Sequence, residues 1–318
     1  MKDRIQTAAR LRWPWIALGL VVGHLTLTHF VMGLRPEHIL ANLLLVIPAW
    51  WSDGGRRFSR MCLPLWLIGA IYEYSHYLMW LQQYAEVHIR DIYELEKRLF
   101  GIDTPQGRMI LAEFFGKYNW PVLDAITGFA YLYYLYHAIF MCMLFVFIAP
   151  ERQPRMAWSF FTANMIGLVI FLLFPVAPPW YVAQHGFDVD FSVLPDPAGT
   201  LRFDRLVGLR YFENFYKHNA TVFGAMPSLH VGFPLAVALG TLGWKRRGWQ
   251  IFMFSVPAVV AFSAFYLQHH YLLDVIAGVL VALVSYGITV FVLHRRQWDG
   301  TLRGYFWLWT HVPQDSES

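Results

Sequence analysis

Long apolar runs, separated by short clusters of basic residues, organise this chain. Runs long enough to cross a hydrocarbon layer of about 30 Å lie near 13–34, 37–51, 61–83, 120–149, 157–177, 221–243, 249–268 and 271–294. The pattern predicts an all-α fold, a polytopic transmembrane helix bundle of about eight spans. The second run is the shortest and is bounded by Pro36 and Pro48. Basic residues fall on alternate connections: Lys2, Arg4, Arg10 and Arg12, then Arg56, Arg57 and Arg60, then Arg152 and Arg155, then Lys245, Arg246 and Arg247, then Arg295 and Arg296. The positive-inside rule makes those connections cytoplasmic, with both termini inside. The first run exceeds the 7–15 residues of a signal-peptide core, so it is expected to stay as a span.

Two longer segments then fall outside. In 84–119, Ile92, Leu95 and Leu99 recur at helical spacing among Arg90, Glu94, Glu96 and Lys97. This predicts an amphipathic helix in the membrane interface, or else a solvent-facing helix packed on the bundle. Residues 178–220 mix Pro, Gly, Asp and Arg with Trp180, Tyr181, Tyr211 and Tyr216, as an irregular cap over a site would. The chain divides into N-terminal spans (1–83), an outer interfacial segment (84–119), a transmembrane core (120–310) and a polar, disordered tail (311–318).

Composition agrees with the pattern. With 57% hydrophobic and 14% charged residues, the chain is too apolar for a soluble domain of its length. An aromatic content of 18% suits interfacial belts of Trp and Tyr. The formal charge of +4 says less than its placement. Cys62 and Cys142 are isolated within apolar runs, so neither a disulfide framework nor a cysteine metal site is available.

Two stretches carry candidate chemistry. Ala225-Met226-Pro227-Ser228-Leu229-His230 opens the sixth run. Pro and Ser are ordinary at a helix start, and a lone His behind them is more often structural. His269-His270-Tyr271-Leu272-Leu273-Asp274 opens the eighth run. A spacing of four places His270 and Asp274 on one helix face, where the carboxylate holds the imidazole in one tautomer. An aspartate at mid-span costs on the order of 2.5–3.5 kcal/mol, so a partner is expected. Both runs begin on the outer side, which puts His230 and His270 at one membrane level. Elsewhere, Glu73 and His76 sit one turn apart, as a compensating pair or as lining for a head-group pocket. His137 and Tyr131, Tyr133, Tyr134 and Tyr136 wrap around their helix, which argues for packing, and His269 points about 100° from His270 on an ideal helix. Asn219-Ala220-Thr221 lies too close to a membrane-embedded helix start to serve as a glycosylation site.

Pro227-Ser228-Leu229-His230, followed about forty residues later by His270-x-x-x-Asp274, resembles the type 2 phosphatidic acid phosphatase superfamily. Phe174-Pro175-Val176-Ala177-Pro178-Pro179-Trp180-Tyr181 is similar to the Pro-rich segment of its inositol phosphorylceramide synthase and sphingomyelin synthase branch. The resemblance implies a lipid phosphotransferase with His270 as nucleophile, Asp274 as its orienting partner and His230 as general acid and base. It departs from the hydrolase pattern in lacking the Lys-x6-Arg-Pro clamp and in having Ala264 where hydrolases place Arg. A phosphodiester carries one charge and needs less cationic clamping than a monoester, which favours the transferase branch. Backbone N–H groups around Ser228 and Leu229, together with Lys217, His218, Arg210 and Tyr181, are the expected substrate-binding groups.

The expected partners are lipid substrates and the membrane itself, with no nucleic acid, no metal and no cofactor; the oligomeric state is open. The expected location is a bacterial plasma membrane with an extracytoplasmic site. A lipid phosphate or polyprenyl-diphosphate phosphatase is the alternative among enzymes. A transporter using Glu73, His76 and His137 as a polar path, or a membrane cytochrome, is the alternative of another class.

Overall fold

The computed structural model describes residues 2–217 and 221–294, and the side chains of these except 2–11, 76 and 294. Arg295, Arg296, His218, Asn219 and the expected tail lie outside the described residues.

Helices account for almost all regular structure. In chain order they are α1 (Lys2–Val31), α2 (Pro36–Trp51), α3 (Asp53–Met79), α4 (Arg90–Phe100), α5 (Leu111–Lys117), α6 (Pro121–Ile148) and α7 (Gln153–Leu173). They continue as α8 (Pro179–His185), α9 (Leu201–Val207), α10 (Tyr211–Tyr216), α11 (Leu229–Leu239), α12 (Arg247–Tyr266) and α13 (Leu272–His294). A two-stranded hairpin, β1 (Ile102–Thr104) and β2 (Gly107–Met109), interrupts the 84–119 segment. Proline stands in the first turn of α2, α6, α7 and α8, where a missing N–H costs nothing. Ser52 alone separates α2 from α3, and its hydroxyl accepts the N–H of Gly55 at 3.0 Å.

Each of the eight expected runs contains a helix. Among the described residues, five helical stretches are long and apolar enough to span by length and composition: Arg12–Val31, Pro121–Ile148, Gln153–Leu173, Arg247–Tyr266 and Leu272–Leu293. The α2 helix has 16 residues and α11 only 11, and α3 carries Asp53, Arg56, Arg57, Arg60 and Glu73.

The main core lies between α6, α7, α11, α12 and α13. Helices in lipid gain little from burying apolar surface against one another, so close packing of small residues has to hold them. Ala138, Ala157, Ala163, Ala236, Ala238 and Ala282 are all fully buried there. The tightest approach is between α11 and α13: a Cβ on Gly278 would lie 2.2 Å from the Ser228 carbonyl oxygen.

Helices α1–α3 form a second unit around Trp13, Leu45 and Met61. A buried polar network joins them. The Asn42 amide donates to His24 Nδ1 at 2.9 Å, and the Arg35 N–H donates to His38 Nδ1 at 3.1 Å. Each imidazole therefore turns Nε2–H toward Glu73, at 3.4 Å from His24 and 2.5 Å from His38. Glu73 is thus partnered by α1 and α2; the side chain of His76, its expected partner, lies outside the described residues. The His137 ring is buried in α6 beside Tyr133 and Phe252.

Helix α4 packs on the rest of the protein through a mixed face. Ile92, Tyr93 and Glu96 are buried, whereas Leu95 and Leu99 are 40% and 52% exposed. Of the periodic apolar positions Ile92 packs inward while Leu95 and Leu99 turn outward, and the Glu96 carboxylate turns inward.

Candidate active site

The chain around Ser228 places His230. A cis Met226–Pro227 bond precedes Ser228, whose N–H donates to the Asp274 carbonyl at 2.8 Å. That bond docks the start of α11 against α13, and Gly278 leaves the room for it. His230 then sits in the first turn of α11.

His270 comes from the turn between α12 and α13. The Ala264 carbonyl accepts the N–H groups of both His269 and His270 at 3.1 Å, and Gln268 adopts a left-handed conformation (φ 65°) to let the chain reverse. Because α13 starts at Leu272, His270 precedes the helix and does not share a helical face with Asp274. The two still meet across the first turn, with His270 Nδ1 3.4 Å from Asp274 Oδ2. A second acceptor, the Ala225 carbonyl, lies closer to Nδ1 at 2.8 Å. Both neighbours only accept, so Nδ1 carries the proton and Nε2 carries the lone pair. His230 Nδ1 stands 2.9 Å from that Nε2 and must donate to it.

Two supports hold this turn. Val176, at the centre of the Pro-rich segment, bridges His88 on one side and Gly224 on the other; its N–H donates to the Phe223 carbonyl, and the Ala225 N–H donates back to the Val176 carbonyl, both at 3.1 Å. This three-segment stitch fixes the Ala225 carbonyl that orients His270. The second support is Glu96 of α4, which accepts the N–H of Leu272 at 2.9 Å and of Leu273 at 3.1 Å. It caps α13 from a separate helix, and burial raises its carboxyl above the ordinary range.

His230, His269 and His270 line one cavity of about 170 Å³, otherwise walled mainly by apolar and aromatic side chains of α3, α6, α7 and the 178–225 segment. Tyr131 stacks on His230 (4.2 Å, 14°) and Tyr134 packs against it at 4.4 Å. Asn164 contributes a polar edge from α7. Helix geometry leaves the N–H groups of Leu229 and His230 without intrahelical acceptors at the head of α11, a position suited to anionic oxygens.

Several expected substrate-binding residues stand elsewhere. Leu229 lines the cavity, but Ser228 is buried behind it and its N–H is already used. Tyr181 is fully buried, with its hydroxyl donating to the Asp188 carbonyl and accepting from Asp190 N–H; its neighbour Trp180 lines the cavity instead. Arg210 and Lys217 both pair with Glu213 at the surface, holding that carboxyl down at about 2. Neither cation reaches the cavity wall. Ala264 is fully buried, so the position that holds Arg in hydrolases faces the core. The sequence did not mark Tyr131, Tyr134, Asn164 or Glu96 as residues of the site. Tyr131 and Tyr134 lie three apart on one helix face, the one signal that separates them from Tyr133 and Tyr136.

The PAP2 superfamily matches residues 90–288, which include Glu96, Tyr131, His230, His269, His270 and Asp274. The chain is 31% identical to a phosphoinositol dihydroceramide synthase of Bacteroides thetaiotaomicron, over 82% of this chain and 86% of that protein. It is 28% identical to the inositol phosphorylceramide synthase catalytic subunit of Schizosaccharomyces pombe over 63% of this chain and 46% of that one. For the Saccharomyces cerevisiae catalytic subunit the figures are 31% identity, 40% and 31%. The chain therefore spans less than half the length of these two fungal relatives. No solved structure matches. With its family match over most of the chain and its likeness to a bacterial synthase along nearly the whole length of both, this protein belongs to the PAP2 superfamily, in the inositol phosphorylceramide synthase-like branch.

Proposed function

We propose that this membrane phosphotransferase moves a phosphoinositol head group from a donor phospholipid to the hydroxyl of a ceramide-type lipid, through a phosphohistidine on His270, at the extracytoplasmic face. The observation that carries the reading is the 2.9 Å approach of His230 Nδ1 to His270 Nε2 at the cavity wall. A lone pair fixed at the wall of the cavity, with a proton carrier beside it, is what nucleophilic attack on phosphorus requires.

In the first half-reaction Nε2 of His270 bonds to phosphorus and the phosphorus–oxygen bond to the donor glyceride breaks. His230, as imidazolium, gives its proton to the departing alkoxide. The phosphorylated ring keeps its Nδ1–H, and its positive charge faces Asp274 and the Ala225 carbonyl. The Leu229 and His230 N–H groups receive the non-bridging oxygens. In the second half-reaction neutral His230 takes the acceptor hydroxyl's proton, the oxygen bonds to phosphorus, and the nitrogen–phosphorus bond breaks to restore His270. The 2.9 Å contact leaves no space for a phosphoryl group, so donor binding parts the two rings. The synthase names of the relatives supply the head group and acceptor class.

Full-length protein in nanodiscs, given phosphatidylinositol labelled in its phosphate, should transfer label to added ceramide. Without acceptor it should accumulate an acid-labile, base-stable phosphoenzyme. Release of label only as free inositol phosphate, unchanged by ceramide, would replace transfer with hydrolysis.

A further inference from the structure

His269 is the one histidine of the cavity wall to which the reaction above gives no part. Its surroundings are specific. Nε2 lies 3.1 Å from the Pro197 carbonyl, so Nε2 bears the proton and Nδ1 the lone pair. Nδ1 makes no hydrogen bond among the described residues, and the ring lines the same cavity as His230 and His270. The ring is 5% exposed and held in plane by two tyrosines, Tyr131 at 5.2 Å and 16°, and Tyr216 at 4.8 Å and 9°. Burial, then the neighbouring His270, drives its pKa down to about 3, so the lone pair stays free across the physiological range. The Pro197 carbonyl is itself placed by the Gly199 N–H, which donates to the Leu267 carbonyl at 3.1 Å, with no space there for a Cβ.

A neutral, immobilised acceptor beside a phosphoryl site has limited uses. It repels non-bridging phosphate oxygens, which also only accept. It cannot serve as general acid through Nδ1, because that nitrogen carries no proton. It welcomes a group that donates a hydrogen bond. We infer that His269 is a specificity-determining residue whose Nδ1 accepts a hydrogen bond from a substrate hydroxyl, selecting hydroxyl-bearing substrates over isosteres that lack it. This rests on the transferase reading. The hydroxyl belongs either to the polyol head group or to the acceptor lipid. A buried acceptor left unpaired penalises the analogue without the hydroxyl, which is how such sites discriminate.

Two substitutions separate the ring's two nitrogens. In His269→Asn the amide oxygen occupies the Nδ1 position and keeps the acceptor, while the Pro197 bond is lost. In His269→Gln the amide reaches Pro197, while the Nδ1 acceptor is lost. Both are assayed as full-length protein in nanodiscs, with thermal stability measured alongside. Phosphatidylinositol is the donor, and phosphatidylmethanol, which has no head-group hydroxyl, is a competitive inhibitor. Ceramide and its 3-deoxy analogue are the acceptors.

Wild type should discriminate by about tenfold either between the two donors' affinities or between the two acceptors' KM values, the scale of one lost hydrogen bond. His269→Gln should raise the KM of the hydroxyl-bearing substrate about tenfold and leave the affinity of its hydroxyl-free analogue unchanged. His269→Asn should stay near wild type in that ratio. A donor-side change assigns the hydroxyl to the head group, and an acceptor-side change assigns it to the acceptor. The pH–rate profile should keep its shape in both variants. The inference is overturned if wild type shows no discrimination, if His269→Gln weakens both analogues equally, if His269→Asn is as impaired in the ratio as His269→Gln, or if the pH profile moves. Wild type that transfers to no alcohol, yet discriminates between the donors in binding, would sink the transferase reading while leaving the His269 hydroxyl contact standing.

Discussion

The Glu96 carboxylate accepts the peptide N–H of Leu272 at 2.9 Å, tying the helix that precedes the core to the first residue of α13, two residues after His270. With Leu273 N–H on its other oxygen, Glu96 acts as a cap supplied in trans to the helix it serves. Negative charge at a helix N-terminus is favourable, and here it also sits near Asp274. Glu96→Gln keeps one acceptor and drops the charge, so transfer should fall by roughly 10-fold, in line with about 1–3 kcal/mol for a charge-assisted hydrogen bond. Glu96→Ala should fall further. Because burial raises the Glu96 carboxyl, its charge is lost at a higher pH than that of an ordinary carboxylate as pH falls. Part of the acid-side loss of wild-type activity should therefore vanish in Glu96→Gln when the two profiles are normalised.

The roles proposed for His230 and His270 should separate by leaving group. His270→Ala should give no phosphoenzyme with any donor. His230→Ala should slow phosphoenzyme formation on the order of 10²–10⁴-fold for a lipid alkoxide, and far less for an aryl phosphodiester whose leaving group needs little protonation. Equal losses on the two donors, read by rapid quench, would remove His230 from the acid role.

Gly278 offers a test of helix approach without replacing a polar side chain. A Cβ there would meet the Ser228 carbonyl oxygen at 2.2 Å, so Gly278→Ala has to push α11 from α13. That shift moves His230 relative to His270, and a misplacement of about 1 Å costs on the order of 10² in rate. Gly287→Ala on the same helix meets nothing within 4 Å and should transfer at the wild-type rate. Rates would be compared at equal folded fraction, from thermal unfolding in the same nanodiscs.

The side of the membrane is directly measurable. Cys62 and Cys142 are buried, so an added cysteine is read against a quiet background. A cysteine replacing Leu194, which is 81% exposed in the segment over the cavity, should react with an impermeant thiol reagent in intact cells. Cysteines at Gly54 and Gly248 should react only after the membrane is opened. Labelling of Leu194→Cys only in opened cells would place the site on the cytoplasmic face.

Sequence pattern carried the helical class, the location of each apolar helix and the His230, His270 and Asp274 constellation, because span length and a polar residue in an apolar run are one-dimensional signals. It did not carry what depends on a turn. His270 and Asp274 meet, but with His270 in the turn ahead of α13 and not on its face, a difference that a spacing of four does not report. Arg210 and Lys217 read as phosphate ligands because their partner Glu213 lies on the same exposed turn and neutralises them there. Glu96 read as a polar-face residue of an amphipathic helix, yet its partners are peptide N–H groups about 176 positions away, which no local pattern reports. Tyr181 and Trp180 are adjacent, and only their opposite faces decide which one meets the cavity.

The last relationship concerns water. A phosphohistidine is consumed by whichever hydroxyl reaches it first, and the apolar wall of the cavity biases that contest toward a lipid alcohol. Trp180 is the largest side chain of the Pro-rich segment on that wall; its ring is buried, and its N–H anchors to the Gln268 carbonyl at 3.2 Å. Trp180→Ala keeps that backbone bond and removes the indole, leaving space on the side of the 178–220 segment. The phosphoenzyme should still form at close to the wild-type rate, because His230, His270 and Asp274 are held by other contacts. Its fate should change: the ratio of free inositol phosphate to transferred product should rise by at least about tenfold, the effect of roughly 1.4 kcal/mol lost from the preference for alcohol over water. Trp180→Phe, which refills most of the volume, should restore much of the preference. Quantifying both products from one labelled donor reads the ratio without depending on how much enzyme is active. An unchanged ratio in Trp180→Ala, with phosphoenzyme formation intact, would mean that the acceptor is chosen by contacts to the lipid itself and that exclusion of water by this wall plays no part.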